Sequence, residues 1–136
     1  MGFRELKYQF KMKSGKILLI EDDALIKTTL TEFLHLTFPQ VQVYPVETLA
    51  EARKVWPQHR FDIIISDCIL SDGLACDFLG EIDFKGPIIV VTGMVDKDKL
   101  EKAAYLIKGP LYILRKPTSL EKIAEIIASC LPHETP

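Results

Sequence analysis

Asp67 closes the apolar run Phe61–Ser66 (FDIIIS), and a carboxylate held at the end of a buried strand is a candidate nucleophile or metal ligand. Three other apolar runs end in residues that could serve the same reaction. Ile17–Ile20 (ILLI) leads into Glu21-Asp22-Asp23, Pro87–Val91 (PIIVV) into Thr92-Gly93, and Leu111–Leu114 into Arg115-Lys116-Pro117. Singly, each has an ordinary explanation: a solvated turn that caps a helix, a strand-end threonine, a solvated lysine. Brought to one place they have a specific use, the transfer of a phosphoryl group to a carboxylate. Asp67 would be the nucleophile, Mg²⁺ and Lys116 would neutralise the phosphoryl oxygens, and Thr92 would donate a hydrogen bond to one of them. The cation follows from the acids themselves. Carboxylates ~4 Å apart repel by roughly 4 kcal/mol per pair at an effective dielectric near 20, and a divalent ion removes that cost. Few carboxylates with room for water and phosphate favour Mg²⁺ over zinc.

The elements between these residues must position them. The pattern predicts strands at Ile17–Ile20, Val41–Tyr44, Phe61–Ser66, Pro87–Val91 and Leu111–Leu114. It predicts helices at Ala24–Phe38, Thr48–Trp56, Leu74–Ile82, Asp96–Ile107 and from Thr118 to about Leu131. Thr48-Leu-Ala-Glu51 and Thr118-Ser-Leu-Glu121 have the form of capping boxes, while Pro39 and Pro57 are stop signals. In the last helix Leu120, Ile123, Ala124, Ile127 and Leu131 form one apolar stripe.

Strict strand–helix alternation with near-continuous apolar strands predicts an α/β fold: a parallel sheet covered by helices on both faces. Right-handed crossovers make it doubly wound, and five strands give the flavodoxin-like order 2-1-3-4-5. Strand order then reverses between strands one and three, where ligands bind in such sheets. That crevice receives both Glu21-Asp22 and Asp67.

Composition excludes several alternatives. The chain is 48% hydrophobic and 26% charged with a net charge of −2, an ordinary balance for one globular domain and no signature of nucleic-acid binding. No apolar stretch approaches the ~20 residues of a membrane span, and the N-terminus has no secretory h-region, so the expected location is the cytoplasm. Cys68, Cys76 and Cys130 are odd in number and lack metal-ligand spacing, so they read as small buried or half-buried residues of a reducing compartment. Residues 1–15 fall outside the alternation. Leu6, Tyr8, Phe10 and Met12 alternate with Lys7, Gln9, Lys11 and Lys13, which fits an added edge strand and equally a disordered leader.

With these residues in place, the sequence resembles the receiver domain of bacterial two-component response regulators. ILLIEDDALIK is similar to the family's first strand and acidic turn, FDIIISDCILSDG to its phosphorylation strand, PIIVVTG to its fourth strand and YILRKP to its lysine–proline ending. The match runs from about Lys16 to Leu131, four motifs in the right order. The resemblance implies Asp67 as phosphoacceptor, Thr92 as switch hydroxyl and Lys116 as the phosphate-pairing lysine. It implies a Mg²⁺ shell from Glu21, Asp22, Asp67 and the backbone carbonyl of Ile69, and a cis Lys116–Pro117 bond. Three positions depart from the family: Ser71 stands in place of a proline, Ala75 in place of a glycine, and Ile113 in place of the switch aromatic, with Tyr112 adjacent.

The function expected is a phosphorylation-dependent switch in a phosphorelay rather than an enzyme. Its implied partners are a sensor histidine kinase or phosphotransfer protein upstream and an effector domain or protein downstream, with room for a homodimer and no direct role for membrane or nucleic acid. Two other readings compete. A degenerate receiver would bind a partner constitutively, which Ile113 keeps open and the intact set Asp22, Asp67, Thr92 and Lys116 opposes. A small aspartate-nucleophile phosphatase would need a general acid two residues after Asp67, and Ile69 occupies that place. The terminal segment after Leu131, with Pro132 and Pro136, reads as the tail of a stand-alone receiver or the start of a linker. Lys97, Lys99, Lys102 and Lys108, on or beside the fourth helix, read as a solvated face or a partner surface.

Overall fold

A computed structural model describes residues 13–93 and 97–132. Residues 1–12 of the leader read over 1–15, the helix start at Asp96 and the tail after Pro132 lie outside the described residues. The elements run β1 (Ser14–Ile20), α1 (Ala24–Thr37), β2 (Gln40–Val46), α2 (Leu49–Val55), β3 (Ile63–Asp67), α3 (Ala75–Glu81), β4 (Ile88–Thr92), α4 (Lys97–Leu106), β5 (Leu111–Arg115) and α5 (Leu120–Cys130). The strands form one parallel five-stranded sheet in the order β2-β1-β3-β4-β5. This is the doubly wound, flavodoxin-like arrangement expected from the alternation.

Burial explains why the central strands lack polar alternation. Ile17, Leu18, Leu19 and Ile20 of β1 and Ile63, Ile64 and Ile65 of β3 are all buried, because each strand faces a hydrophobic core on both sides. One core gathers Leu18, Ile20, Ile64 and Val90 with Leu49, Phe78 and Leu79 of α2 and α3. The other gathers Ile17, Leu19, Ile63 and Ile89 with Leu30 and Leu34 of α1 and Ile123 and Ile127 of α5. Fully burying each such side chain is worth roughly 1.5–3 kcal/mol, so the sheet is the rigid part on which the site is mounted.

Several boundaries differ from the sequence reading, each for a local reason. β1 begins at Ser14, so Ser14 and Gly15 belong to the sheet. β2 continues through Pro45 to Val46, because it is an edge strand and a missing N–H costs nothing on its open side. Pro57 does not stop the chain at Trp56 but sits early in a 3₁₀ turn, Trp56–Gln58, that extends α2. Thr48 caps α2 as expected, its side chain accepting from the Glu51 N–H at 3.1 Å. The cap of α5 is Ser119 rather than Thr118, bonded to the Lys122 N–H at 3.1 Å. Leu120 is accordingly 37% exposed instead of joining the buried stripe. No described helix is long and apolar enough to cross a membrane.

Candidate functional site at the carboxyl edge of the sheet

β1 and β3 are hydrogen-bonded neighbours, with Ile20 in register with Ser66, so the residues beyond their carboxyl ends share one crevice. The Glu21-Asp22-Asp23 run divides its labour there. Asp23 is the N-cap of α1, its Oδ1 accepting from the Ile26 N–H at 2.9 Å. That leaves Glu21 and Asp22 for the crevice. Together with Asp67 they place one carboxylate oxygen each within 4.8 Å of one another. Burial pushes the Glu21 carboxyl above its ordinary value, the Asp23 N–H and Lys116 pull it down, and Asp67 and Asp22 push it up again. A buried acid beside two others is a donor set that fits a small hard dication, and Glu21, Asp22 and Asp67 are the side chains that could hold it.

Asp67 is held at both oxygens. Oδ1 accepts the Cys68 amide N–H at 2.7 Å and Oδ2 accepts Lys116 Nζ at 2.8 Å. Lys116 also lies 3.5 Å from Glu21 Oε1, so its ammonium bridges the two acids. Burial alone would lower the lysine pKa, but the Asp67 hydrogen bond and charge outweigh it and hold the ammonium above its ordinary value. The Lys116–Pro117 bond is cis. Thr92 is buried at the end of β4, in register with Arg115, and its carbonyl accepts the Lys116 N–H at 2.8 Å. Adjacent strands thus carry the hydroxyl, lysine and acid residues to one edge. Ile69 begins a two-residue ladder, Ile69–Leu70 against Gly73–Leu74, that folds the chain back after Asp67.

Chemically, the arrangement offers a carboxylate oriented by two donors, a cation beside it and an acid cluster able to bind a second cation. A nucleophilic carboxylate attacking an electrophile with several anionic oxygens would find those oxygens neutralised. Beside the acids lies an apolar crevice of about 560 Å³, lined by residues including Leu25, Ile26, Leu30, Pro117, Leu120 and Ile123. Ile26 of α1 is 41% exposed at its rim.

The response regulator receiver domain family model matches residues 17–128. The chain belongs to that family. The response regulator protein PilR of Pseudomonas aeruginosa is 26% identical over 128 residues, 92% of this chain but 28% of PilR, so the chain spans little more than a quarter of that relative. Among solved structures, the beryllofluoride-activated NtrC4 receiver domain dimer is 27% identical with a TM-score of 0.72, covering 85% of this chain and 94% of that one. A two-component response regulator from Clostridium difficile, 24% identical, shares the fold with a TM-score of 0.75 over 85% of this chain and 93% of that one.

The receiver's departures from its family now have places. Ser71 is exposed in the loop after Asp67, and Ala75 is buried at the start of α3. On β5, Ile113 is in register with Val90, on the sheet face of the first core, and is 41% exposed. Tyr112 packs against the opposite core, where the Cys130 thiol reaches its hydroxyl at 4.0 Å. Side chains alternate along a strand, so Tyr112 cannot stand in for an aromatic at position 113.

Two contributors escaped the sequence reading. Asp72 accepts the N–H groups of Leu49 and Ala50 at 2.9 and 3.0 Å, pinning the loop after Asp67 to the start of α2. Those two bonds hold its carboxyl below the usual value. Asp-Gly marks a turn at Asp72–Gly73, but nothing local signals a cap on a helix more than twenty residues earlier. Gly73 adopts φ +145, a conformation open to glycine, and so permits the ladder. Ser66 is buried, its Oγ bonded to the Asp67 carbonyl at 2.7 Å.

Proposed function

We propose that this receiver is a phosphorylation switch in which Asp67 accepts a phosphoryl group from a histidine-bearing kinase or phosphotransfer protein. The observation that carries this reading is the pairing of Asp67 with Lys116 at 2.8 Å inside the acidic cluster of Glu21 and Asp22. A carboxylate oxygen attacks phosphorus, the bond from phosphorus to the donor breaks, and the donor nitrogen leaves with its electron pair. Lys116 balances charge on the transferred oxygens, while the buried Thr92 hydroxyl lies on the same edge to bond one of them. Glu21, Asp22, Asp67 and the Ile69 carbonyl are the groups that would hold Mg²⁺, which when bound would supply charge neutralisation at the phosphoryl oxygens. The apolar crevice with Leu25, Ile26 and Leu120 at its rim gives the donor protein a surface that keeps water from the transfer.

The protein is a switch and not a turnover enzyme, because Ile69 leaves no general acid at the place an aspartate-nucleophile phosphatase would need one. Ile113 at the aromatic position makes the structural response at β5 smaller than a buried tyrosine or phenylalanine would give, so downstream readout relies on α4 and the loop after Asp67. Its setting is the cytoplasm, where a kinase and effector are within reach.

Calorimetric titration with a beryllium–fluoride complex in the presence of Mg²⁺ tests the site. One equivalent is expected to bind, with binding lost in Asp67→Asn. A wild-type protein that binds none is a degenerate receiver, and the proposal is then wrong.

A further inference from the structure

Asp67 is followed by a short hairpin whose tip is anchored from outside. Ile69 pairs with Leu74 and Leu70 with Gly73, and the Ala75 N–H donates to the Cys68 carbonyl at 2.9 Å. Cys68 and Leu70, each 4% exposed, seat the base of this hairpin in the first core. Its tip, Ser71 to Gly73, is exposed. A ladder this short is marginal by itself, and Ser71 leaves the turn's φ free where a proline would fix it. What holds the tip is Asp72, whose Oδ1 and Oδ2 accept the Leu49 and Ala50 N–H groups at 2.9 and 3.0 Å. A Cβ at Gly73 would lie 3.4 Å from Leu49 Cδ1, so the tip lies close against the same helix start.

Thr48 already caps α2, accepting from the Glu51 N–H at 3.1 Å, so the bonds to Asp72 are not what starts that helix. Ala50 is exposed, and water could serve its N–H. The particular consequence of the two bonds is for the loop. Between Asp67 and the anchored tip lie the two backbone groups nearest the reaction. One is the Cys68 N–H, bonded to Asp67 Oδ1 at 2.7 Å, and the other is the Ile69 carbonyl.

We propose that Asp72 is a positioning residue for phosphoryl transfer, tying the loop to α2 so that the Cys68 N–H and the Ile69 carbonyl stay in place around Asp67. The proposal rests on the phosphoacceptor reading above. Asp72 acts through the backbone of residues 68–71 and not on the reacting atoms. With the tether cut, the tip would swing and the Cys68 N–H would no longer stay aimed at one oxygen of Asp67. The carboxylate then meets phosphorus over a wider spread of angles, and transfer slows on the order of tenfold. The Ile69 carbonyl spreads in the same way and would hold Mg²⁺ less firmly.

The test compares wild type with Asp72→Ala, Asp72→Asn and Thr48→Ala. Thr48→Ala removes a cap from the same helix end and keeps the tether, so it measures what a loosened α2 does alone. Initial rates of phosphorylation by acetyl phosphate with Mg²⁺ are read by intact mass, and hydrogen exchange of the Cys68 amide by NMR. Asp72→Ala is expected to be slower on the order of tenfold and to exchange the Cys68 amide faster. Asp72→Asn keeps one acceptor oxygen and falls between Asp72→Ala and wild type. Thr48→Ala melts lower than wild type yet matches it in rate and in Cys68 exchange. Equal slowing by Thr48→Ala and Asp72→Ala would mean that any loosening of α2 suffices, and overturns the proposal. So does an unchanged rate in Asp72→Ala. If no protein takes a phosphoryl group while Cys68 exchange still depends on Asp72, the phosphoacceptor reading fails. The positioning role falls with it, and only the anchoring of the loop stands.

Discussion

At the scale of single residues, the site is a balance of charge built around Asp67. Lys116 satisfies one of its oxygens and the Cys68 amide the other, while Glu21 contributes a buried acid that burial holds above its ordinary pKa. Glu21→Gln therefore has two opposite effects. Without a divalent cation it raises the melting temperature, since a neutral amide replaces a desolvated carboxylate facing two like charges. With Mg²⁺ it lowers affinity by about tenfold, roughly 1.4 kcal/mol, because one negative ligand is gone. Paired thermal melts and Mg²⁺ titrations of both proteins check this, and an unchanged affinity would remove Glu21 from the cation shell. The carboxylates were legible in the sequence because each ends an apolar run. Asp72 and Ser66 were not, since their partners are set by tertiary contact and by the buried strand end.

At the scale of elements, the loop from Cys68 to Leu74 is the most consequential segment. Asp72 ties it to the α2 N-terminus, and the Leu49 and Ala50 N–H groups hold its carboxyl pKa below the ordinary value. A depressed carboxyl contributes stability that is present above its unfolded pKa and lost as pH falls through the folded one. Asp72→Ala is therefore expected to melt lower than wild type at pH 7, with the gap closing below about pH 4. Thermal melts from pH 7 to pH 3 check this, and a gap independent of pH would mean that Asp72 acts without its charge. Helix and strand order was readable because apolar runs and amphipathic stretches differ in period. The errors fell where position in the sheet overrides local signals. Pro45 is tolerated on an edge strand, and Thr118 and Ser119 are both competent caps, of which the structure uses Ser119.

At the scale of the whole molecule, two cores, one on each face of the sheet, hold four strand ends at one edge. Sheet order was legible because doubly wound connections have one hand, and the crevice came from that order. What a modified Asp67 would change at the surface was not legible, because Ile113 stands where the resemblance calls for an aromatic. Lys108, beside α4, pairs with Asp83 at 2.8 Å, joining the loops that follow α3 and α4. The side chains of Lys97 and Lys99 lie outside the described residues. The proposed switch stands or falls on whether Asp67 takes a phosphoryl group. The most direct measurement is intact mass after incubation with acetyl phosphate and Mg²⁺. Wild type should gain a single phosphoryl group, and Asp67→Asn none. Equal gain by both proteins, or gain by neither, would contradict the account.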